Sequence, residues 1–438
     1  MALVELVREA GVVGAGGGGF PTHVKLAGKA DTVIANGAEC EPLLHKDAAV
    51  MEREAARVVT GMLATMEAVG ATRGIIGIKR KNSRAIQMIT AASAGQPVSV
   101  HLLGDYYPAG DEYDLVFETT GRLIPPAGIP LNVGAVVCNV ETFANISRAA
   151  ENLPVTEKTV TIGGAVRSPV TLTVPVGTPF RDVLEVAGGP TTDDPVLCLG
   201  GLMMGTTSDD LDTPVLKTTT GAIVLPRTHH IVQRKLKPWA HQAKIGKSAC
   251  DQCRFCTELC PRYLLGYPVE PHRVMRSLGF TATDRKLLDE WAALCCSCGL
   301  CTLYSCPEEL FPKEACDASK DELRKAGFKW ATQSQVRPHP LRDGRRIPIR
   351  ALMRKLVVEE FDHPAHWQDL SVYPVRVTLP LKQAAGAPAS AVVKSGDHVK
   401  KGQLIGRAPE GALGANLHAS VEGIVAVNEA SIAIQRTK

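Results

Sequence analysis

At 438 residues the chain is too long for one core and calls for about three domains. Its hydrophobic fraction (45%) and charged fraction (21%) are ordinary for a soluble globular protein, and a net charge of +4 is too small to argue for nucleic acid. Thirteen cysteines could suggest a disulfide scaffold, but eight lie in two tight runs of a long chain with no visible secretory signal, which points to metal.

The first apolar residues, Leu3, Val4, Leu6 and Val7, recur at helical spacing, as the first helix of a domain or a partner-binding helix would. The glycine-rich stretch G-V-V-G-A-G-G-G-G-F-P-T-H-V-K follows at 11–25. Glycine lets backbone approach a ligand closely, and consecutive amides can hold a phosphate; the pattern alone fits a flexible turn equally well. It is not a Walker A loop, since no G-K-[ST] follows. Residues 32–36 read as a buried strand ending in N-G-A-E-C-E-P, with Glu39 and Glu41 at the strand end where α/β sheets bind ligands; a solvated acidic loop is the alternative. A long helix is expected from 45 to 69, strands at 74–78 and 98–103 with a helix at 83–92 between them, then a helix around Leu115 and a strand at 135–140. This alternation indicates a mainly parallel sheet. Cys138, in the last apolar run, reads as a buried small hydrophobe.

From about 156 the pattern changes to period two with one short helix at 179–187, as in a β-grasp. A basic segment holding His229 and His230, with His241 beyond it, lacks metal-ligand spacing. Residues 331–370 are rich in Arg, His and Pro and read as a linker with one helix near 350–359. From 372 onward, short strands separated by G-D and K-G turns indicate a small β-sandwich.

The cysteine runs lie between the β-grasp and the linker. The first is Cys250-x2-Cys253-x2-Cys256-x3-Cys260-Pro261, the bacterial ferredoxin run for a 4Fe-4S cluster. The second is Cys295-x2-Cys298-x2-Cys301-x4-Cys306-Pro307, with one extra residue before its last cysteine. In two-cluster ferredoxins the fourth cysteine of each run serves the other cluster. One cluster is therefore expected on Cys250, Cys253, Cys256 and Cys306, and the other on Cys295, Cys298, Cys301 and Cys260. Cys295 is preferred to Cys296 because Cys296-x-Cys298 is abnormally tight.

Three stretches together carry a resemblance: Gly14 to Lys25, Asn36 to Pro42, and N-V-E-T-F-A-N at 139–145. They resemble the FMN and NADH site of the complex I flavoprotein subunit and, more closely, the C subunit of Rnf complexes. The Y-P-A-G-D-E segment at 107–112 is similar to the Rnf-type pattern. The last block resembles the biotinyl/lipoyl-type barrel-sandwich fold, but no lysine occurs between Lys401 and Lys438 to carry a swinging cofactor, so a structural or docking role is expected. Rnf-type subunits place that sandwich before the flavin unit and have a long Ala/Lys-rich tail. Here the sandwich comes last, an order that resembles the cobalamin reductase family of propanediol-utilisation microcompartments.

The resemblance implies a multidomain α/β and β architecture: a Rossmann-like FMN/NADH-binding domain at 1–153, a β-grasp at 154–230, a helical two-cluster ferredoxin-like domain at 240–330, a linker at 331–370 and a barrel-sandwich hybrid domain at 371–438. It implies that Gly14, Gly16, Gly17 and Gly19 line the flavin and nucleotide cleft, and that Phe20 walls the nicotinamide nucleotide. Lys25 would pair with phosphate. Asn36, Glu39 and Glu41 would face the rings, the two acids as the catalytic pair. Asn139 and Thr142 would hold the ribityl-phosphate end of FMN. Ala38 stands where complex I has aspartate, so one flavin contact is expected to be lost or supplied from elsewhere. The implied activity is NADH-dependent reduction of cobalamin through FMN and two 4Fe-4S clusters. A cobalamin adenosyltransferase and microcompartment shell proteins are the implied partners, in a cytoplasmic setting within a microcompartment. A stretch of about 18 apolar residues is absent, so no membrane span is expected. An Rnf-like NADH:ferredoxin subunit and a non-enzymatic electron conduit are the competing readings.

Overall fold

The computed structural model describes residues 2–279, 290–331 and 335–437. The helical connection expected between the cysteine runs falls partly on 280–289, outside the described residues.

In the first unit, β1 (Thr32–Gly37), β2 (Arg73–Lys79), β3 (Val98–Leu103) and, after the two-residue β4 (Tyr106–Tyr107), β5 (Ala135–Asn139) supply a sheet. Its order is β3-β2-β1-β5, and every pairing is parallel. β1 is buried along almost its whole length because helices cover both faces, which explains its unbroken apolar run. The helices are α1 (Leu3–Glu9), α2 (Thr22–Leu26), α3 (Lys46–Arg53), α4 (Ala55–Val69), α5 (Ser83–Ala92), α6 (Glu112–Thr120) and α7 (Val140–Ala150).

The single long helix expected over 45–69 is two helices. Glu54 leaves helical geometry between α3 and α4 (φ −122°, ψ 27°), and both its carboxylate oxygens accept from Arg148 Nη2, at 2.7 and 2.6 Å. α4 and α7 then cross closely at Gly61, where a Cβ would lie 1.9 Å from the Phe143 carbonyl oxygen.

The second unit has a five-stranded sheet from β6 (Glu157–Gly164), β7 (Val170–Pro175), β8 (Pro195–Leu199), β9 (Thr206–Ser208) and β10 (Gly221–Pro226), in the order β7-β6-β10-β8-β9. One helix, α8 (Phe180–Val186), buries Phe180, Val183 and Leu184 against it. The cysteine-rich unit follows on short helices: α9 (His230–Lys235), α10 (Trp239–Ala249), α11 (Phe255–Glu258), α12 (Pro261–Leu264), α13 (Pro271–Ser277) and α14 (Pro312–Lys325). His229 has a local role, since its ring accepts the Ile231 amide at the start of α9.

The described part of the segment expected as a linker, 335–370, carries elements that pack against the other units. β11 (Ile347–Pro348) pairs with β4, and α15 (Ile349–Leu356) buries Ile349, Leu352, Met353 and Leu356 in a core shared with Leu43, Tyr107, Cys198 and Leu303. Two of its arginines dock on α6: Arg342 is buried and bonds Asp114 and Glu118, and Arg346 also reaches Glu118.

The last unit is a sandwich of two sheets. β12 (Arg376–Pro380), β14 (His398–Val399), β17 (Gly423–Val427) and β18 (Ser431–Arg436) pair in the order β12-β18-β17-β14; β13 (Ser390–Ala391), β15 (Leu404–Arg407) and β16 (Leu417–His418) form the second sheet. Val377, Leu379, Val399, Ile405, Leu417 and Ile434 fill the space between them. Among the described residues no helix is long and apolar enough to cross a membrane.

Candidate functional site

The glycine loop hangs on a short antiparallel ladder. The Gly14 amide donates to the Phe20 carbonyl at 3.0 Å and the Thr22 amide to the Val12 carbonyl at 3.1 Å. At the tip, Gly16, Gly17 and Gly18 are exposed, and their amides take no protein acceptor among the described residues. A Cβ on Gly17 or Gly18 would meet open space, and Gly17 has a φ of +107° that other residues avoid. This is a bare row of donors open to a ligand, and it suits the oxygens of a flavin nucleotide. Gly14 and Gly19 close the loop behind it through the Gly19 amide and Gly14 carbonyl, at 3.2 Å. Phe20 is partly exposed beside the tip, with the Lys25 ammonium 5.8 Å from its ring centre. Lys25 itself is held by the Val137 carbonyl at 2.8 Å and by Glu112 at 3.4 Å.

Thr142 and Asn139 hold the loop from behind. The Thr142 hydroxyl, fully buried, accepts the Ala15 amide at 3.0 Å. The Asn139 carboxamide donates to Asp47 at 2.9 Å and to the Asn36 carbonyl at 3.3 Å, and it accepts from Lys46 and from the Glu141 amide. Both side chains are thus occupied by protein groups and shape the site from within.

Beneath them lies a buried charge cluster that sequence reasoning missed. Glu141 sits between Lys46, at 3.1 Å, and Lys158, which also donates to the Ala15 carbonyl at 2.9 Å. Burial disfavours the Glu141 carboxylate, but the two lysines outweigh it and hold its pKa below the usual range. Burial brings Lys158 down to about 8 in spite of Glu141. Two adjacent charges, Lys46 and Asp47, at the head of the helix expected from 45 were the signal available in the sequence.

Asn36 ties two turns together, donating to the Gly110 carbonyl at 2.9 Å and accepting the Ala38 amide at 3.1 Å. Ala38 is buried among Ile34, Leu103, Tyr106 and Ala109, so an aspartate there would be enclosed by apolar groups. Glu39 accepts the Asp47 amide at 3.2 Å, and its enclosed carboxyl is pushed up to about 8, first by burial and then by Asp47. Glu41 does not point freely toward the strand ends: its two oxygens accept the Met203 and Met204 amides of the second unit, at 2.8 and 2.7 Å. Both acids line a cavity of about 480 Å³ with His45, Lys79, Asp105 and Arg350.

Next to this cavity the Tyr107 hydroxyl donates to the Cys298 carbonyl at 2.6 Å, joining the strand ends to the cysteine-rich unit. Arg262, two residues after Cys260, reaches back to Asp111 at 2.9 Å and lies over the Tyr113 ring at 3.6 Å. Cys250, Cys253, Cys256 and Cys306 surround one small cavity, with Cys253 exposed. Cys260 neighbours Cys295 and Cys296, and Cys298 neighbours Cys260 and Cys301. The Cys295 thiol pairs with buried Cys316, and Cys296 with Cys298. Among the described residues no three His, Cys, Asp or Glu side chains converge as a single metal ion requires. The two groups of thiols suit cubanes, each of which takes four thiolates over its four irons.

Four family descriptions match the chain in order: Nuo51 FMN-binding domain at 7–148, SLBB domain at 159–207, 4Fe-4S dicluster domain at 249–311 and RnfC barrel sandwich hybrid domain at 368–437. Cobalamin reductase PduS of Citrobacter freundii is 43% identical over 438 residues, 99% of this chain and 96% of that one. Its namesake from Salmonella typhimurium is 42% identical over 442 residues, with the same two shares of 99% and 96%. The C component of the proton-translocating ferredoxin:NAD(+) oxidoreductase complex of Clostridium ljungdahlii is 36% identical over 269 residues, 60% of this chain and 56% of that one.

Proposed function

Because the chain belongs to the cobalamin reductase PduS family, we propose that it takes electrons from NADH and delivers them through FMN and two 4Fe-4S clusters to cobalamin. The observation that carries this reading is the match along 99% of the chain to cobalamin reductases, against 60% for the ferredoxin:NAD(+) oxidoreductase component. When bound, FMN would supply the conversion of a hydride's electron pair into single electrons, and the clusters would supply single-electron conduction.

The chain's own residues then have separate tasks. The amides of Gly16, Gly17 and Gly18 receive the nucleotide's oxygens, and Phe20 and Lys25 flank it. Asn36 fixes the Ala38 and Gly110 turns that border the ring site. Glu39 keeps a proton near neutral pH at the end of β1, where a proton can be given or taken. Glu41 keeps the second unit locked over the site. One cluster is assigned to Cys250, Cys253, Cys256 and Cys306, the other to Cys295, Cys298, Cys301 and Cys260. The second set lies against Tyr107 and hence nearer the flavin side, while the first reaches the surface at Cys253. The domain limits set out from the sequence belong to this reading, supported by the family matches in the same order.

Reduction of cobalamin from cob(III)alamin toward cob(I)alamin would serve an adenosyltransferase, and the family resemblance supports a setting inside a propanediol-utilisation microcompartment. Co-purification with shell proteins checks that setting. The activity is tested by mixing anaerobically reconstituted protein with NADH and then aquacobalamin. Bleaching of the flavin and cluster absorbance followed by cobalamin reduction is expected. Absent bleaching ends the dehydrogenase reading; bleaching without cobalamin reduction ends the cobalamin assignment and favours a ferredoxin-type acceptor.

A further inference from the structure

Two adjacent residues of the second unit, Lys217 and Thr218, touch both arms of the glycine loop. The Lys217 ammonium donates to the Gly11 carbonyl at 2.9 Å, at the foot of the first arm. The Thr218 methyl lies 2.8 Å from where a Cβ on Gly19 would sit, at the top of the second arm. The barrel-sandwich unit completes the arrangement. Lys217 also donates to the Asn416 carbonyl at 2.8 Å, its amide donates to Gln383 at 3.0 Å, and the Ala385 amide donates to the Gly19 carbonyl at 2.9 Å. Three units therefore meet at the loop. The packing leaves no slack at its foot: Gly11 has a φ of +65°, and a Cβ there would lie 2.3 Å from the Asn416 carbonyl oxygen.

Lys217 is 2% exposed, and among the described residues no carboxylate compensates it. An ammonium buried on carbonyls alone is unfavourable compared with a methionine of similar length. What the Lys217 nitrogen provides, and an apolar chain does not, is a link between the backbones of two other units. We propose that Lys217 is a positioning residue for the flavin loop, through which the barrel-sandwich unit sets FMN affinity without touching the cofactor. The sandwich, in which no lysine occurs between Lys401 and Lys438, then acts as a brace. This inference rests on the flavin reading of the glycine loop given above.

The test uses the full chain with its clusters built, comparing wild type with Lys217→Met and Gln383→Ala. FMN affinity is read from quenching of free flavin fluorescence, and iron per chain is measured on the same samples. If the loop's binding-competent fraction falls to about a tenth, FMN binds about tenfold more weakly in Lys217→Met, with a smaller loss in Gln383→Ala. Iron content stays at the wild-type level, and saturating FMN restores the wild-type visible flavin spectrum. Unchanged FMN affinity in both variants overturns the brace and leaves the flavin reading intact. Joint loss of iron and FMN in both variants, without rescue by saturating FMN, also overturns it, as general damage to the fold. Absence of FMN binding by the wild type ends the flavin reading and this inference together.

Discussion

At the residue scale, the cysteines give the sharpest expectations. Replacing Cys250 or Cys298 by alanine is expected to remove one cluster and about half of the iron, since each proposed site loses one of its four thiolates. Replacing Cys296 is expected to leave iron unchanged; loss of about half would move that ligand from Cys295 to its neighbour. Spacing alone chose between these two, and the structure shows why they are distinguishable, with Cys295 turned to Cys316 and Cys296 to Cys298. Glu39 gives a pH dependence. Its carboxyl titrates at about 8 when folded, against 4.5 for the ordinary group. Between those values the unfolded chain has released the proton that the folded chain keeps, so this group's contribution to stability falls as pH rises. Thermal midpoints measured across this window are expected to fall less steeply with pH in Glu39→Gln than in wild type.

At the element scale, strands and glycine loop were legible because their signals are local: an unbroken apolar run for a doubly covered strand, and glycines where backbone must stay bare. The break at Glu54 was not legible, because it depends on Arg148, 94 residues away. The packing of 335–370 was hidden for a similar reason: an Arg-, His- and Pro-rich stretch reads as a linker, and the partners of Arg342 and Arg346 on α6 lie far away in the chain. Asn139 and Thr142 were singled out by the family resemblance, but their bonds to Asp47 and Ala15 became visible only with α7 folded against the loop. The crossing of α4 and α7 yields a direct expectation. Gly61→Ala forces a methyl group against the Phe143 carbonyl and is expected to lower stability by about 1–3 kcal/mol, as a small-to-large change at a tight contact does, measured by urea unfolding.

At the scale of the whole molecule, the order of units could be read from the sequence, while the contacts between them could not. Lys217 lies where three units meet, and no periodicity marks it. Burial brings its pKa down to about 7 from an ordinary 10.5. In that window the unfolded chain holds the proton and the folded chain has released it, so its contribution to stability rises with pH, the opposite sign to Glu39. Thermal midpoints taken between about pH 7 and 9 are expected to rise more in wild type than in Lys217→Met.

The grouping of Cys306 with the first run has a consequence for how the protein is made. In the proposed ligation each run gives three thiolates to one site and its last to the other. A nascent chain that ends after Cys260 therefore presents four thiols that belong to two different sites. The first site gains its fourth thiolate only once residue 306 has been synthesised, and the second only with residue 301. Delivery of iron and sulfide must wait until both runs have left the ribosome, and replacement of a damaged cluster must disturb a stretch of chain that also holds the intact one.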